Sequence, residues 1–243
     1  MLQPVFTVPI FAVHGLLDGA RGKGLATPEW LEGVLGRAVQ GSVVGGSAAT
    51  WSRVDDADGA IWVRLPDAGP ELARALILQR VATDEASAAQ SPAGRTGTPT
   101  VPSPAWLAAE ILSGVAAVQP ATIEAFVPQM LNYESVGGVS FKKGCYPGQE
   151  VVARSQFRGT LKRRACLVHC EEPMAAGDEV FQASDADQPC GTVVQVAATP
   201  QGGCEAIVSA QVTAIEAAQL RHGSVDGAAL SILTLPYPLL SDI

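Results

Sequence analysis

Leu161-Lys162-Arg163-Arg164-Ala165-Cys166-Leu167-Val168-His169-Cys170 is the stretch whose reading decides the fold. It reads as a strand, and more short β-rich runs follow it at Glu179 to Gln182, Cys190 to Ala197, Glu205 to Val212 and Ser231 to Leu235. Turn signals separate them at Ala176-Gly177-Asp178, Asp185 to Pro189 and Gln201-Gly202-Gly203. Regular short strands of this kind predict a small barrel or sandwich, with one helical turn expected within Ala214 to Leu220. Cys166 and Cys170 bracket His169, but a strand puts 166, 168 and 170 on one face and 169 on the other. The spacing therefore points to small core residues rather than to a metal site.

Immediately upstream the charge changes. Residues 140–165 carry Lys142, Lys143, Arg154, Arg158, Lys162, Arg163 and Arg164 against one acid, Glu150. The whole chain has 16 Lys+Arg and 24 Asp+Glu, so this segment is about +6 and the remainder near −14. An acidic chain that gathers its positive charge in one place is expected to meet an anion there. A solvated barrel edge is the plainer alternative, because basic residues also discourage edge pairing.

Within the segment, Pro147 and Gly148 lead into a predicted helix, Gln149-Glu150-Val151-Val152-Ala153-Arg154. Cys145 then lies just outside a helix N-terminus, beside Lys142 and Lys143, where dipole and ammonium groups favour thiolate. Gly144 and Gly148 leave the backbone open to a ligand. A small residue in a tight turn is the structural alternative for Cys145.

Farther towards the N-terminus, Val5 to Val13 reads as a buried strand closed by His14-Gly15, and Thr27-Pro28-Glu29-Trp30 as a capped helix start. Gly41 to Val54 and Ala60 to Leu65 read as two strands joined by Asp55-Asp56-Ala57-Asp58-Gly59, and Asp67 to Arg80 as a second helix. That order, β-α-β-β-α, is most of a ferredoxin-like unit without its closing strand. Thr83 to Ser103 is too poor in large apolar residues to hold one conformation. Ser103-Pro104-Ala105-Trp106 opens another helix, stopped at Gly114. A short helix is expected from Thr122, ending near Pro128, and a short strand at Val139 to Phe141.

Composition excludes several classes. At 243 residues, 47% hydrophobic and 16% charged, the chain can bury a sizeable core. It has no run of 18 apolar residues and no signal-peptide pattern at its start, so a soluble cytoplasmic protein is expected. The five cysteines form no CxxC pair. Gly22-Lys23-Gly24 lacks phosphate-loop spacing, the Asp55–Asp58 cluster lacks the calcium-loop pattern, and GxSxG, HExxH and GxGxxG are absent. Nothing brings His14, His169 or His222 to Cys145 for a Cys-His pair.

Phe141-Lys142-Lys143-Gly144-Cys145-Tyr146 followed by Gly148-Gln149-Glu150 resembles the K-G-C-[FY]-x-G-Q-E signature of the YgfZ family. These are folate-binding proteins linked to iron–sulfur cluster maintenance and tRNA modification, related in fold to the aminomethyltransferase of glycine cleavage. The resemblance continues through Trp106-Leu107-Ala108 with Ile111, Phe126-Val127-Pro128-Gln129, Asn132, Gly137-Gly138, Phe157-Arg158-Gly159 and Leu235-Pro236-Tyr237. It implies that Trp106 contacts folate and that Cys145 is the functional thiol. Lys142, Lys143, Gly144, Tyr146, Gln149, Glu150, Arg154 and Arg158 are then expected near tetrahydrofolate, the basic ones at its glutamate tail or at an RNA phosphate.

Family members begin with a further half-domain, and Met1 is expected to correspond to its second half. The aminomethyltransferase's catalytic acid would precede it, so transferase activity is not expected.

The expected fold is α+β, an incomplete ferredoxin-like portion, a small helical segment and a C-terminal β-barrel, as in the aminomethyltransferase-like folate-binding fold. The expected divisions are 1–82, a linker at 83–104, a helical segment with the motif at 105–158, and the barrel at 159–243. The function implied is a folate-binding accessory protein for iron–sulfur enzymes and tRNA modification, with no membrane and no metal ligands assigned. A folate-dependent one-carbon transferase and an RNA- or partner-binding module without folate are the alternatives.

Overall fold

The computed structural model describes residues 10–18, 51, 53–55, 61–68, 72–80, 104–141, 144, 148–157, 161–185, 187–199 and 202–240. The chain divides into two compact units, 1–106 and 107–243.

In the first unit, β1 (Ile10–Asp18), β2 (Arg53–Asp55), β3 (Ile61–Leu65) and β4 (Leu72–Arg80) form an antiparallel sheet in the order β1-β4-β3-β2. The helix expected over Asp67 to Arg80 is corrected here, because Leu72–Arg80 is a central strand. It pairs with β1 from Ile10↔Arg80 to Asp18↔Leu72, and with β3 from Ile61↔Leu78 to Leu65↔Arg74. Leu, Ala and Arg are good helix formers, but two flanking strands satisfy both backbone edges, and that pairing overrides a weak local preference. The same pairing carries β1 through His14-Gly15, where the sequence predicted its end. The helix expected after Thr27 lies outside the described residues, as does most of the strand expected from Gly41.

The unit boundary falls within α1 (Pro104–Leu112). Gly114 ends that helix as expected: its φ is +67°, and its N–H donates to Ile111 O at 2.8 Å. A Cβ there would sit 2.8 Å from the Tyr237 ring. The helix expected between Thr122 and Pro128 is replaced by two 3-10 turns, Pro120–Thr122 and Pro128–Leu131. Pro128 opens the second turn rather than closing a helix, since proline lacks only the N–H that a first-turn residue leaves unpaired. No strand forms at 139–141.

The rest of the second unit is a curled, six-stranded antiparallel half-barrel. It contains β5 (Arg163–Cys170), β6 (Glu179–Gln182), β7 (Gly191–Ala198), β8 (Cys204–Gln211), β9 (Leu220–His222) and β10 (Ser231–Leu233), in the order β10-β5-β8-β7-β6-β9. The predicted barrel is thus an open sheet with β10 and β9 at its ends. The expected helical turn forms at Val212–Ala217, and β9, too short to announce itself, pairs with β6. Helix α2 (Gln149–Phe157) carries the motif.

Both faces of the sheet are covered, which explains the nearly unbroken apolar runs of β5 and β8. Cys166, Val168 and Cys170 with Val193, Ala206, Val208 and Ala210 line one core, closed by Ala214, Leu220 and Leu230. Ala165, Leu167, Val194 and Ile207 face a second core, filled by Ala108, Ile111, Ala116 and Leu131. Val193 and Val194 face opposite cores, as strand alternation requires, and a register slip between Val193 and Gln195 interrupts the ladder there.

Candidate functional site

The motif enters its helix through Gly148, whose φ of +84° suits glycine. Val151 N–H donates to Gly148 O at 3.3 Å, closing the first turn of α2. Glu150 sits in that first turn and Arg154 in the last, the order a helix dipole favours. Glu150, Val151 and Arg154 are exposed, and Gln149, Val152 and Ala153 are half-buried. Gly144 and Gly148 are exposed too, and a Cβ on either would meet no heavy atom within 4 Å. The described part of the motif is therefore an open surface with accessible backbone and a basic side chain.

Among the predicted site residues, Gly144, Gln149, Glu150 and Arg154 are described in this surface, and Trp106 falls in α1. Lys142, Lys143, Cys145, Tyr146 and Arg158 lie outside the described residues. The exposed guanidinium of Arg154 suits an anionic ligand. Neighbouring Lys162 is also exposed, whereas Arg164 is committed elsewhere. Its Nη1 donates to Glu134 Oε1 at 2.8 Å and its Nη2 to Leu240 O at 2.6 Å, with both charged side chains largely buried. The basic cluster seen in sequence thus includes one member that serves as a structural ion pair.

The floor of α2 is the turn Pro128–Leu131, and sequence reasoning assigned it no role. Three buried polar residues organise it. Asn132, at a left-handed φ of 58°, bonds Ala165 twice: Nδ2 donates to the carbonyl at 2.8 Å, and the Ala165 N–H donates to Oδ1 at 3.3 Å. Ser209 Oγ of β8 donates to Met130 O at 3.0 Å. Gln129, fully buried, donates through Nε2 to Val152 O of α2 at 2.7 Å. The only sequence signal for this arrangement was the place of Gln129 and Asn132 in the resembling segment.

The remaining cysteines are buried. Burial, with neighbouring Cys190, pushes the Cys166 thiol up to about 12, and burial also raises Cys190 and Cys204. Cys170 lies beside Cys204 in the register, in the same core. His169 turns away from that face towards Glu171, at 3.4 Å. Among the described residues no three His, Cys, Asp or Glu side chains converge as metal ligands would, and no helix is long and apolar enough to cross a membrane.

No protein-family model matches the chain. It is 30% identical over 217 residues to the tRNA-modifying protein YgfZ of Edwardsiella ictaluri (strain 93-146). The match takes in 82% of this chain and 64% of that protein, so the chain spans less than two thirds of its relative's length. The chain, which carries the K-G-C-Y-P-G-Q-E motif just before and into α2, is thus similar to a YgfZ protein over most of its own length.

Proposed function

We propose that the protein is a folate-binding accessory factor for iron–sulfur enzymes that act in tRNA modification, with Cys145 as its key thiol. The observation that carries this reading is the intact motif at the exposed start of α2, in a chain similar to a tRNA-modifying protein. Gly144 and Gly148 let a ligand approach the backbone, and Arg154, with Lys142, Lys143 and Arg158, receives its carboxylates. The family resemblance assigns Trp106 to contact with the folate. Gln149, Glu150 and Tyr146 are polar residues of the same motif. Bound tetrahydrofolate would contribute a one-carbon carrier or a reductant; Cys145 contributes a nucleophilic sulfur.

Isothermal titration with tetrahydrofolate is expected to show saturable binding that Trp106→Ala weakens. No heat at millimolar ligand would remove folate from the reading. Complementation of a strain lacking its own family member is expected to fail with Cys145→Ala; full activity would remove the thiol from the mechanism.

Exposed Arg154 and Lys162 favour one second reading, an RNA-binding surface that works without folate. It predicts tRNA binding that falls steeply with salt and is lost on charge reversal at Arg158 and Lys162.

A further inference from the structure

We propose that Gln129 is the positioning residue of the motif helix and, through that helix, of Cys145. The proposal rests on the reading of α2 and Cys145 as the working part of the protein. No residue of helix α2 from Gln149 to Arg154 is buried. The turn beneath it, by contrast, is anchored to the half-barrel on two sides. Asn132 holds Ala165 of β5, and Ser209 of β8 holds Met130 O.

Gln129 directly precedes these anchored residues, is 0% exposed, and reaches instead to α2. A main-chain carbonyl can only accept, so its contact with Val152 O fixes the amide with Nε2 towards the helix. Val152 lies one turn into α2, and its carbonyl has a second lone pair for this donor. The other end of the amide, Oε1, has no donor among the described residues. The bond to α2 is therefore the one described contact that the buried side chain satisfies.

Packing alone does not explain this choice of residue. A methionine would fill the same unbranched volume without burying an amide, and a buried polar group is a net cost unless its hydrogen bond is made. What glutamine adds is direction: one directed bond from a rigid floor to a helix whose described side chains are all at least partly exposed. The first turn of that helix, closed at Gly148, lies three residues after Cys145 in sequence. A helix free to tilt would change the field at its N-terminal end and the approach to Gly148.

The test uses the full chain with two variants, Gln129→Met, which keeps the volume, and Gln129→Asn, which keeps the amide but is one methylene too short to reach Val152. Amide hydrogen exchange is followed in 149–157, with 163–170 and 204–211 as internal reference. The alkylation rate of Cys145 by iodoacetamide is measured across pH 6–9. Both variants are expected to exchange roughly tenfold faster in 149–157, the effect of one buried hydrogen bond, with the reference strands unchanged. The pH profile of Cys145 alkylation is expected to shift in both. Wild-type exchange in 149–157, an unshifted alkylation profile, or equal acceleration throughout the strands would overturn the proposal. Neither readout uses folate or tRNA, so it can fail while the proposed function stands, and stand while that function fails.

Discussion

At the scale of single residues, four thiols of the second unit are buried. Cys166, Cys170, Cys190 and Cys204 belong to one core, where desolvation disfavours thiolate at Cys166, Cys190 and Cys204. Ellman titration of the native protein at neutral pH is expected to find one fast thiol, assigned to Cys145 by its loss in Cys145→Ala, and five in denaturant. Two or more fast thiols in the native protein would contradict this division. Asp178 gives a second prediction. The Ala175 N–H, at 2.7 Å, and His222 Nε2, at 2.8 Å, hold its carboxyl below the usual carboxylate range against the opposing effect of burial. A depressed folded pKa stabilises above the unfolded value, about 3.9, and that contribution is lost as pH falls through the folded one. Asp178→Asn is therefore expected to lower Tm at pH 7 and to close the gap with wild type by pH 3. A gap that persists at pH 3 would place its cause in packing. The opposed faces of Cys166 and His169 were legible from strand alternation alone, whereas the partner of Arg164 was not, because Glu134 is thirty residues earlier in a loop.

At the scale of elements, the C-terminal strands were legible because each apolar run is bounded by Gly, Pro or Asp. Leu72–Arg80 was misread because its composition fits a helix, and only its two neighbours make it a strand. The turn Pro128–Leu131 was misplaced for a related reason. Its geometry is tied to Ala165 and Ser209, in distant parts of the chain, rather than to local pattern. Asn132→Ala tests that dependence. It strips both bonds from the Ala165 main chain in a fully buried setting, and is expected to cost about 2–3 kcal/mol in urea unfolding. A loss below about 0.5 kcal/mol would show that Ala165 finds other partners. Gly114 and Gly148 follow a clearer rule: both sit at positive φ at a helix boundary, as their places in the sequence indicated.

At the scale of the molecule, the half-barrel and its covering segment share two cores whose members all come from residues 108–235. The C-terminal stretch ties into the same body. Tyr237 donates to Gly114 O at 2.7 Å, and Leu240 N–H donates to Ser135 Oγ at 3.1 Å. A fragment of residues 104–243 is therefore expected to unfold cooperatively, with dispersed amide resonances. A fragment that binds hydrophobic dye and melts without a transition would show that its cores need the first unit. The sequence by itself determined the α+β class, the strand-rich C-terminal half and the motif with its helix, because these rest on local periodicity and on residue types with few conformational options. Tertiary structure alone decided that Leu72–Arg80 is a strand, that Arg164 is an ion-pair partner and that Gln129 bonds the Val152 carbonyl. Those outcomes depend on which distant backbone or charge comes within hydrogen-bonding reach, and local pattern carries no record of that.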